Sequence, residues 1–276
     1  MNRYLSVLIL AGSLTALNAF AQELTYTGPV NNALADVKTM DQSVWASFNN
    51  ASSLATYTDP GIGASFQNKF SIKELSTRAI AAAFPIKFGV ISAGVLQSGY
   101  SKSLVTRYGI SYSRSFGSTT SAFFQYNYAN HKIESSGRSD GYYSAFGLTQ
   151  KITSEFYMAL LIANPEQAKM SYANLKIDIP SYFNVGITWS NNDWIRVIAE
   201  AEKELDRDPV FKGAIELAIN QFLFVRSGVK GKPLEFTFGS GFKWPKINID
   251  VGFRYHQQLG ISSAAGISYL FNHKKK

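Results

Sequence analysis

The sequence predicts an all-β fold: a transmembrane, antiparallel, up-and-down β-barrel of about 14 strands, with a small helical or irregular plug at its N-terminal end. Near the end of the chain Ile249, Val251, Phe253 and Tyr255 alternate with polar, charged or very small residues. The same alternation recurs in almost every segment after residue 60, and no segment remains to cover so many apolar faces. Lipid outside and a polar lumen inside account for this pattern, which a soluble sheet does not.

An export signal precedes the predicted barrel. A basic start at Arg3 is followed by an apolar run over 5–17, and Ala19 and Ala21 make a small-x-small cleavage site. This pattern predicts a secretory signal peptide over 1–21, because the apolar run is shorter than the ~20 residues of a membrane-spanning helix. The chain has no Cys, so neither a lipid-modified cysteine nor a disulfide framework is expected. Export and barrel together predict the outer membrane of a Gram-negative bacterium.

Residues 22–60 differ from the rest of the chain. Their apolar residues do not alternate strictly, which favours short helices or irregular turns over strands. Asn49 and Asn50 supply turn and capping chemistry. We therefore predict a plug segment over 22–60, in which Trp45, Phe48, Asn49 and Asn50 are the candidate contact residues.

The barrel is predicted over residues 61–276. The candidate strands are 62–70, 79–84, 88–97, 105–116, 122–130, 143–150, 156–164, 182–190, 194–204, 211–220, 222–229, 235–243, 247–257 and 261–271. Short turns near 87, 117–119, 153, 191–193, 221 and 244–246 alternate with longer connections over 71–78, 98–104, 131–141, 165–181, 205–210 and 230–234. Outer-membrane barrels have short periplasmic turns and longer surface loops, so both ends of the barrel are expected in the periplasm. The longest loop, 165–181, either anchors a partner or folds over the barrel mouth.

The alternation also assigns strand residues to faces. Toward lipid we place Phe66, Ile110, Tyr112, Phe124, Tyr126, Tyr128, Met158, Leu160, Ile162, Val185, Ile187, Ile215, Leu217, Phe236 and Phe238. Toward the lumen we place Gly109, Ser111, Gln125, Asn127, Gly147, Asn184, Gly186, Thr188, Gly239, Gly241 and Gly252. Near strand ends, Trp189, Trp194 and Trp244 fit aromatic girdles. Many lumen residues are small, which leaves room for the plug segment.

Charged side chains on the lumen face concentrate in the C-terminal half. By strand parity the candidate ligand-binding or lumen residues are Arg196, Glu200, Glu202, Lys212, Glu216, Arg226, Glu235, Asp250, Arg254 and His256. The expected ion pairs are Glu200 with Lys212, Glu216 with Arg226, Arg226 with Glu235, and Asp250 with Arg254. A lone buried ion costs several kcal/mol, so a narrow lumen favours a structural ion-pair network. The alternative is a polar conduit or a docking surface for the plug segment, and docking is compatible with the network.

The sequence indicates no enzyme site. Glu200 and Glu202 share a face at roughly 7 Å, a separation that some glycosidases use, but nothing indicates an open cleft for a sugar. The three His residues lie outside any nucleophile motif, and no Gly-x-Ser-x-Gly elbow occurs. Asp206 and Asp208 lack the ligand spacing of a calcium loop. We therefore predict no catalytic residue, no metal site and no cofactor.

The net charge of +8 includes three closing lysines, Lys274, Lys275 and Lys276. A basic balance can indicate nucleic acid as a partner, but export argues against it. Anionic lipid head groups are the more natural partner, and a solvated tail is the simplest interpretation.

The stretch 45–55 resembles the N-terminal segment of the long-chain fatty acid transporter (FadL) superfamily, which includes the PorV and PorQ barrels of Bacteroidetes. Members carry Asn-Pro-Ala-Gly-Leu before the first strand. Here Asn50 and Ala51 stand where Asn and Ala would flank the Pro, the Pro is absent, and Ser53 replaces the Gly. The pattern over 199–204 is similar to short Bacteroidetes members, as is the closing sequence. The resemblance implies the same barrel with an N-terminal plug.

Two function classes remain open. The resemblance implies a non-enzymatic FadL/PorV-type barrel for passive transport of small hydrophobic molecules across the outer membrane. The alternative is a structural or adaptor subunit of an outer-membrane machine, for type IX secretion or barrel assembly. Short surface loops and the charged lumen weigh against transport, whereas Gly89 and Gly94 in the third strand would permit a FadL-like gap in the wall. The expected partners are outer-membrane lipid and either small hydrophobic ligands or other outer-membrane proteins.

Overall fold

The computed structural model describes residues 24–134, 137–172, 175–191 and 194–271, and the predicted signal peptide over 1–21 lies outside them. The strands are β1 (Gly61–Asn68), β2 (Ser76–Ile86), β3 (Gly89–Tyr100), β4 (Ser103–Phe116), β5 (Thr120–Ile133), β6 (Gly137–Lys151), β7 (Phe156–Ala163), β8 (Lys169–Tyr172), β9 (Leu175–Asp178), β10 (Tyr182–Asn191), β11 (Ile195–Glu204), β12 (Val210–Ala218), β13 (Leu223–Lys230), β14 (Glu235–Lys243), β15 (Ile247–His256) and β16 (Gly260–Leu270). Within the described ranges all except β8 and β9 close into one antiparallel barrel of fourteen strands, in which β7 pairs with β10 and β16 pairs with β1.

The predicted barrel and its strand count are confirmed, because each predicted strand overlaps one observed barrel strand in order. The strands β3 to β6 are longer than predicted, with 12 to 15 residues. The loops predicted over 98–104 and 131–141 are therefore wrong: β4 begins at Ser103, and His131 lies within β5. Their Ser, Gly and charged residues suggested loops, but the ladder hydrogen bonds use only the backbone and continue through them.

The two ends of the barrel are distinguished by their connections. We call the end at Gly61 and Leu270 the inner end, where these residues pair and Phe271 N donates to Pro60 O at 2.8 Å. The opposite, outer end carries the longest connection, between β7 and β10. Apart from this connection and the one between β1 and β2, the connections at both ends are short. The longest loop therefore marks the outer end, as in outer-membrane barrels.

Side chains alternate between lipid and lumen along each strand, as the sequence predicts. On β14, for example, Phe236 and Phe238 are exposed on the outside, while Thr237 between them is fully buried in the lumen. At the inner end Trp194 and Trp244 are each 61% exposed, which fits an aromatic girdle. No helix in the described part of the chain is both long and apolar enough to cross a membrane.

The hairpin β8–β9 covers part of the outer end. Met170 and Ile179 pack with Leu24, Val105 and Tyr143 in one buried apolar cluster. These contacts favour the second of the two interpretations of the loop over 165–181, in which it folds over the barrel mouth.

The wall has no gap along β3, which is described throughout. Its residues pair with β2 up to Ser98 and with β4 up to Tyr100. Gly94, which would have permitted a gap, makes room for a ring instead: a Cβ there would lie 2.7 Å from Phe48. A FadL-like gap at Gly89 and Gly94 is therefore not part of this structure.

Residues 24–60, called the plug segment from here on, lie inside the barrel. The segment begins at Leu24 beneath the hairpin at the outer end and reaches Pro60 at the inner end. It contains a short helix α1 (Pro29–Asn32) and two 3₁₀ helices, Val44–Phe48 and Ala51–Thr56. Such short turns suit a segment that is fixed by contacts with the wall rather than by its own helical hydrogen bonds.

Candidate functional site

The lumen has two unlike walls. On β2–β7, called the apolar wall, buried lumen residues such as Ala81, Ser92 and Phe123 are small, hydroxylated or apolar. Among the described residues Arg107 is the one Lys, Arg, Asp or Glu side chain that is buried there. On β10–β16, called the charged wall, the structure places all ten predicted lumen charges on the inward face, buried or half-buried.

Two of the four expected ion pairs are present on the charged wall. Lys212 Nζ lies 2.8 Å from Glu200 Oε1, and Arg226 Nε lies 2.6 Å from Glu216 Oε2. In each case the strand register places the two residues directly opposite each other on neighbouring strands. Cross-strand pairing therefore explains both contacts.

The other two expected pairs are wrong. Glu235 lies opposite Lys230 rather than Arg226, which is four residues further along β13, roughly 13 Å away. Asp250 and Arg254 are separated by the same interval on one strand. Arg226 instead reaches across β14 to Asp250, at 2.6 Å.

A hydrogen-bonded group joins the plug segment to β11 and β12. Glu200 Oε2 accepts hydrogen bonds from Lys38 N (2.7 Å), Thr39 N (2.9 Å) and Thr39 Oγ1 (2.8 Å). Glu202 Oε2 lies between Lys38 Nζ at 2.8 Å and Lys212 Nζ at 2.9 Å. Burial lowers the pKa of Lys38, but Glu202, Tyr182 and Glu200 together outweigh it and hold the pKa above its ordinary value. Each buried charge thus has an opposite charge or several donors beside it.

A strained turn lies next to this group. Ala35 and Asp36 both have φ of 54°, a left-handed conformation that L-residues adopt at a cost of roughly 1–3 kcal/mol each. Thr237 holds the turn: its Oγ1 accepts a hydrogen bond from Ala35 N and donates one to Ala33 O, both at 3.0 Å. The wall therefore stabilises a backbone conformation that the plug segment would otherwise avoid.

Asp36 points its carboxylate at two cations of the charged wall, and a third cation binds its backbone carbonyl. Arg254 Nη2 contacts Asp36 Oδ1, and Lys230 Nζ lies 3.7 Å from Oδ2. Lys212 Nζ donates to the Asp36 backbone carbonyl at 2.8 Å, and Thr27 Oγ1 donates to Oδ1 at 2.9 Å. Burial raises the pKa of Asp36, but Arg254, Lys230 and Lys212 outweigh it and hold the pKa below its ordinary value. Asp36 therefore binds the wall as a carboxylate.

A second ionic group lies nearer the inner end. Glu216 bridges Arg196 at 3.0 Å and Arg226 at 2.6 Å, and Arg226 continues to Asp250. Gly241 leaves the space for this bridge, because a Cβ there would lie 2.8 Å from the Arg226 guanidinium.

Asp41 brings a further carboxylate from the plug segment into the same region. Its Oδ2 accepts a hydrogen bond from Asn31 Nδ2 (2.9 Å), and its Oδ1 accepts from Ser43 N (2.8 Å) and Ser43 Oγ (2.6 Å). Burial raises the pKa of Asp41 to about 6, and the Ser43 hydrogen bonds and Arg196 only partly oppose this rise. Asp41 is thus the carboxyl group that connects α1 to the first 3₁₀ helix.

The aromatic residues predicted for the plug segment are its apolar anchors. Trp45 is fully buried, and its ring occupies the space that Cβ atoms at Gly63 and Gly266 would fill, at 2.9 and 3.0 Å. Phe48 packs on Gly94 of the apolar wall. The small lumen residues thus make room for the plug segment.

The predicted asparagines serve the backbone rather than a ligand. Asn49 Nδ2 donates to Thr27 O at 2.8 Å, which joins two turns of the plug segment. Asn50 Nδ2 donates to Thr39 O at 3.1 Å and to Leu160 O of β7 at 3.3 Å. Both side chains are buried and fix the plug segment internally and to the wall.

Two cavities lie against the charged wall. The outer cavity, of about 380 Å³, is lined by Asp36, Lys230, Glu235, Arg254 and other polar side chains. The inner cavity, of about 1000 Å³, is lined by residues that include Asp41, Arg196, Glu216, Arg226 and Asp250. The lining of the outer cavity is mostly polar, whereas the inner cavity is also lined by apolar side chains such as Val30, Phe224 and Leu270.

Residues 31–35 of the plug segment lie between the two cavities. They are almost fully buried and pack on glycines in the middle of β13, β14 and β15. A Cβ at Gly228 would lie 3.0 Å from Ala35 Cβ, and one at Gly239 would lie 2.4 Å from Ala33 Cβ. Residues 31–35 therefore close the charged side of the lumen between the two cavities.

Several residues of this site were not among the predicted ones. Lys230 was placed in a loop, but it ends β13 and shares the inward parity of Arg226. Asp36, Lys38 and Asp41 are the only charged residues between Leu24 and Thr58, which is a signal that sequence reasoning could have used.

The described residues give little support for catalysis. Ser103 Oγ and His131 Nε2 are 3.0 Å apart at the outer end of the apolar wall, but neither residue lines either of the two cavities. No group of three or more His, Cys, Asp or Glu in the described ranges could hold a metal ion.

Comparison with known proteins identifies the fold. The "CymD monoaromatic hydrocarbon channel" is 12% identical with a TM-score of 0.70, over 91% of this chain and 99% of that chain. The toluene transporter TbuX of Ralstonia pickettii is 12% identical with a TM-score of 0.67, over 90% and 99%. The toluene transporter TodX of Pseudomonas putida is 11% identical with a TM-score of 0.63, over 89% and 98%. The fold is therefore the one that these hydrocarbon channels and toluene transporters share, a closed antiparallel barrel of fourteen strands.

Comparison of sequences alone identifies no relative. No protein-family profile matches this chain, and the search of curated proteins found no match.

Proposed function

We propose that this protein is a passive transport channel of the Gram-negative outer membrane, in which residues 31–36 of the plug segment move aside and join the two cavities. The observation that carries the proposal is the position of residues 31–35, which lie between an outer and an inner cavity on the same wall and pack on its glycines. Residues 31–36 include a strained turn, so the free energy needed to move them is lowered by the strain released. The barrel itself need not open, because β3 stays paired on both sides.

Small hydrophobic molecules are one candidate cargo, since the structural neighbours are described as hydrocarbon channels or toluene transporters. On this chain they would enter at the apolar cluster of Leu24, Val105 and Met170, beneath the hairpin β8–β9. These side chains pack on one another, so such a cargo requires the hairpin to lift. Polar cargo fits the two charged cavities without that step.

The adaptor alternative, with a closer kinship to PorV and PorQ, is favoured by an aromatic cluster on the outside of β4–β6. Tyr128 stacks on Tyr108 with ring centroids 5.9 Å apart and contacts Tyr142 at 5.0 Å, and Tyr126 stacks on Tyr142 at 6.1 Å. Such a cluster could bind a second membrane protein. Mild-detergent purification tests this: the adaptor role requires a stoichiometric protein partner that the Tyr126→Ala/Tyr142→Ala variant loses.

A disulfide lock tests the transport proposal. The chain has no Cys, so an engineered pair has no competitor. A Cβ at position 228 would lie 3.0 Å from Ala35 Cβ, and a small shift of the turn away from the wall would give Ala35→Cys/Gly228→Cys the roughly 3.8 Å between Cβ atoms of a disulfide. We expect planar-bilayer conductance in KCl to disappear when this pair is oxidised and to return when it is reduced.

The matched control locks the plug segment to the other wall. Ser52 Oγ and Thr149 Oγ1 are 2.6 Å apart, so Ser52→Cys/Thr149→Cys fixes the segment to the apolar wall and leaves residues 31–36 free to move. Oxidation of this control should not change the conductance. Equal conductance of the first pair in both redox states, or no conductance from any variant, would contradict the proposal.

A further inference from the structure

The outer cavity contains a cationic site that a carboxylate of the protein itself occupies. Lys230 on β13 and Arg254 on β15, the two strands that pair with β14, both face the side chain of Asp36. Asp36 belongs to the plug segment, whereas both cations belong to the barrel. The contact therefore resembles a ligand in its site, with a movable carboxylate bound by fixed cations.

The occupation of this site is incomplete. Lys230 Nζ lies 3.7 Å from Asp36 Oδ2 and 3.8 Å from Glu235 Oε2, both longer than a hydrogen bond. Arg254 Nε is buried and has no hydrogen-bond partner among the described residues. An anion with better-placed oxygen atoms could satisfy both cations more fully than Asp36 does.

A second unsatisfied atom indicates what else the ligand carries. Glu235 is 7% exposed, and its Oε2 accepts no hydrogen bond from any described residue, although Arg254 Nη1 at 3.7 Å and Lys230 Nζ at 3.8 Å are near it. A buried carboxylate oxygen requires a donor, and a ligand hydroxyl would supply one. The lining of the cavity has seven Lys or Arg side chains against five Asp or Glu, so its balance favours an anion.

The size of the cavity sets the scale of the ligand. About 380 Å³ would hold on the order of a dozen water molecules. A small organic acid fits this volume, whereas a long acyl chain does not match its polar lining.

We propose that the outer cavity binds a small hydroxylated carboxylate, such as a sugar acid, whose carboxylate replaces that of Asp36 on Arg254 and Lys230 and whose hydroxyl donates to Glu235. This inference rests on the proposed function, because the replaced Asp36 belongs to the residues 31–36 that move aside during transport. Losing these contacts weakens the hold on the turn at Ala35 and Asp36, whose backbone then keeps its hydrogen bonds to Thr237, Lys212 and Asn31. Binding of the ligand would thus release the residues that separate the two cavities.

Calorimetric titration of the whole mature protein in detergent tests the site, with D-gluconate as the probe. We expect gluconate to bind at least tenfold more tightly than acetate, which has no hydroxyl, and glucose, which has no charge, not to bind detectably. Equal binding of gluconate and acetate would overturn the role of Glu235, and no gluconate binding would overturn the proposal.

Variants separate competition by Asp36 from simple attraction. Asp36→Asn removes the competing charge, so gluconate should bind about tenfold more tightly, whereas Lys230→Gln should weaken binding about tenfold. The control Lys87→Gln, in an exposed inner turn, should bind as the parent does. Weaker binding by Asp36→Asn in a protein that keeps its strand circular dichroism would contradict the replacement. Lys230 is half-buried rather than fully buried, so its variant tests the site even where Asp36→Asn does not fold.

The cysteine pair at positions 35 and 228 gives a readout that does not depend on transport. Gluconate should slow formation of this disulfide several-fold, because the turn leaves Gly228, and acetate should not. Gluconate binding with slower cross-linking but without conductance would leave this inference standing and contradict the proposed function. Conductance of a protein that does not bind gluconate and whose cross-linking gluconate does not slow would contradict this inference and leave the proposed function standing.

Discussion

The apolar wall and the charged wall hold the same plug segment by different means. The apolar wall receives Phe48 on Gly94. Its polar contacts with the plug segment are neutral ones such as the hydroxyl pair Ser52–Thr149, except that Arg107 donates to Leu24 O at 2.8 Å. The charged wall binds the segment through Glu200 and Arg254, and both cavities lie against it. Close packing is the main contact on one side of the plug segment, and ionic contacts are the main ones on the other.

This difference indicates which side can move. A packed apolar contact is lost steeply when it separates and gains nothing from water, so the apolar wall is a permanent anchor. An ion pair can be exchanged for another ion or for water, so the charged wall can release the segment when a competing charge arrives. The four predictions below test this contrast, and the largest expected effect comes first.

The largest effect is expected where the charged wall is most deeply buried. Lys212 Nζ contacts Glu200, Glu202 and the Asp36 carbonyl, and its side chain is 1% exposed. Lys212→Met keeps the length of the side chain and leaves two buried carboxylates short of a cation, so the free energy of unfolding should fall by up to about 5 kcal/mol. Denaturant unfolding in lipid vesicles measures this loss.

The control for Lys212→Met is an ion pair at the surface. Lys232 pairs with Asp208 at 2.9 Å, and both side chains are mostly exposed. Lys232→Met should hardly change stability, because water screens such a pair. Similar losses for the two variants would contradict the distinction between a buried network and surface charges.

The apolar anchor should be the next largest contribution. Phe48 is 4% exposed and packs edge-to-face on Tyr26 with ring centroids 5.2 Å apart. Phe48→Ala should lower the free energy of unfolding by about 3 kcal/mol, while Phe88→Ala, in an exposed inner turn, should change it little. Gluconate should bind the Phe48 variant as it binds the parent, since Phe48 does not line the outer cavity and reaches it only through its contact with Tyr26. A large loss of gluconate binding would show that the two walls do not act separately.

The sequence predicted the barrel well because alternation is a local signal. Phe236, Thr237 and Phe238 reveal their faces by their order alone, and the same period repeats in every strand. It failed at the outer ends of β3–β6, where polar side chains resemble a loop while the backbone ladder continues. Strand parity also placed the ten lumen charges, since parity needs no knowledge of partners.

The partners of those charges could not be predicted in the same way. Asp36 contacts Arg254 across 218 residues, and Lys38 N reaches Glu200 across 162. Only the three-dimensional path of the plug segment brings them together. The register between β13 and β14 was also needed, because it separates Glu235 from Arg226.

The two plug carboxylates at the charged wall should respond to pH in different ranges. The pKa of Asp41 is raised from 3.8 to about 6, so the folded protein takes up a proton there that the unfolded chain does not. The free energy of unfolding should therefore fall as pH rises from about 4 to 6, by roughly 2–3 kcal/mol at 1.4 kcal/mol per unit, and stay level above that range. The pKa of Asp36 is lowered, so its contribution is complete above pH 4 and is lost only in stronger acid.

Denaturant unfolding between pH 4 and 7 separates the two. Asp41→Asn should flatten the slope between pH 4 and 6, and Asp36→Asn should leave that slope unchanged. Asp250 and Arg196 act on Asp41 from the wall, so the same measurement on Arg196→Gln should move the slope to higher pH. A slope that persists in Asp41→Asn would assign it to another group.

The smallest effect is expected at the strained turn, where a single hydroxyl acts. Thr237→Val keeps the shape of the side chain but removes the hydrogen bonds to Ala35 N and Ala33 O, so stability should fall by about 1–2 kcal/mol. Amide exchange at Ala35 should speed up more than exchange in β14, because the turn loosens before the barrel does. Thr188 is the matched control: it is also buried on the charged wall, but its Oγ1 has no hydrogen-bond partner among the described residues, so Thr188→Val should cost nothing or stabilise. Equal effects of the two variants would mean that Thr237 only fills space and that charge alone holds the turn in the lumen.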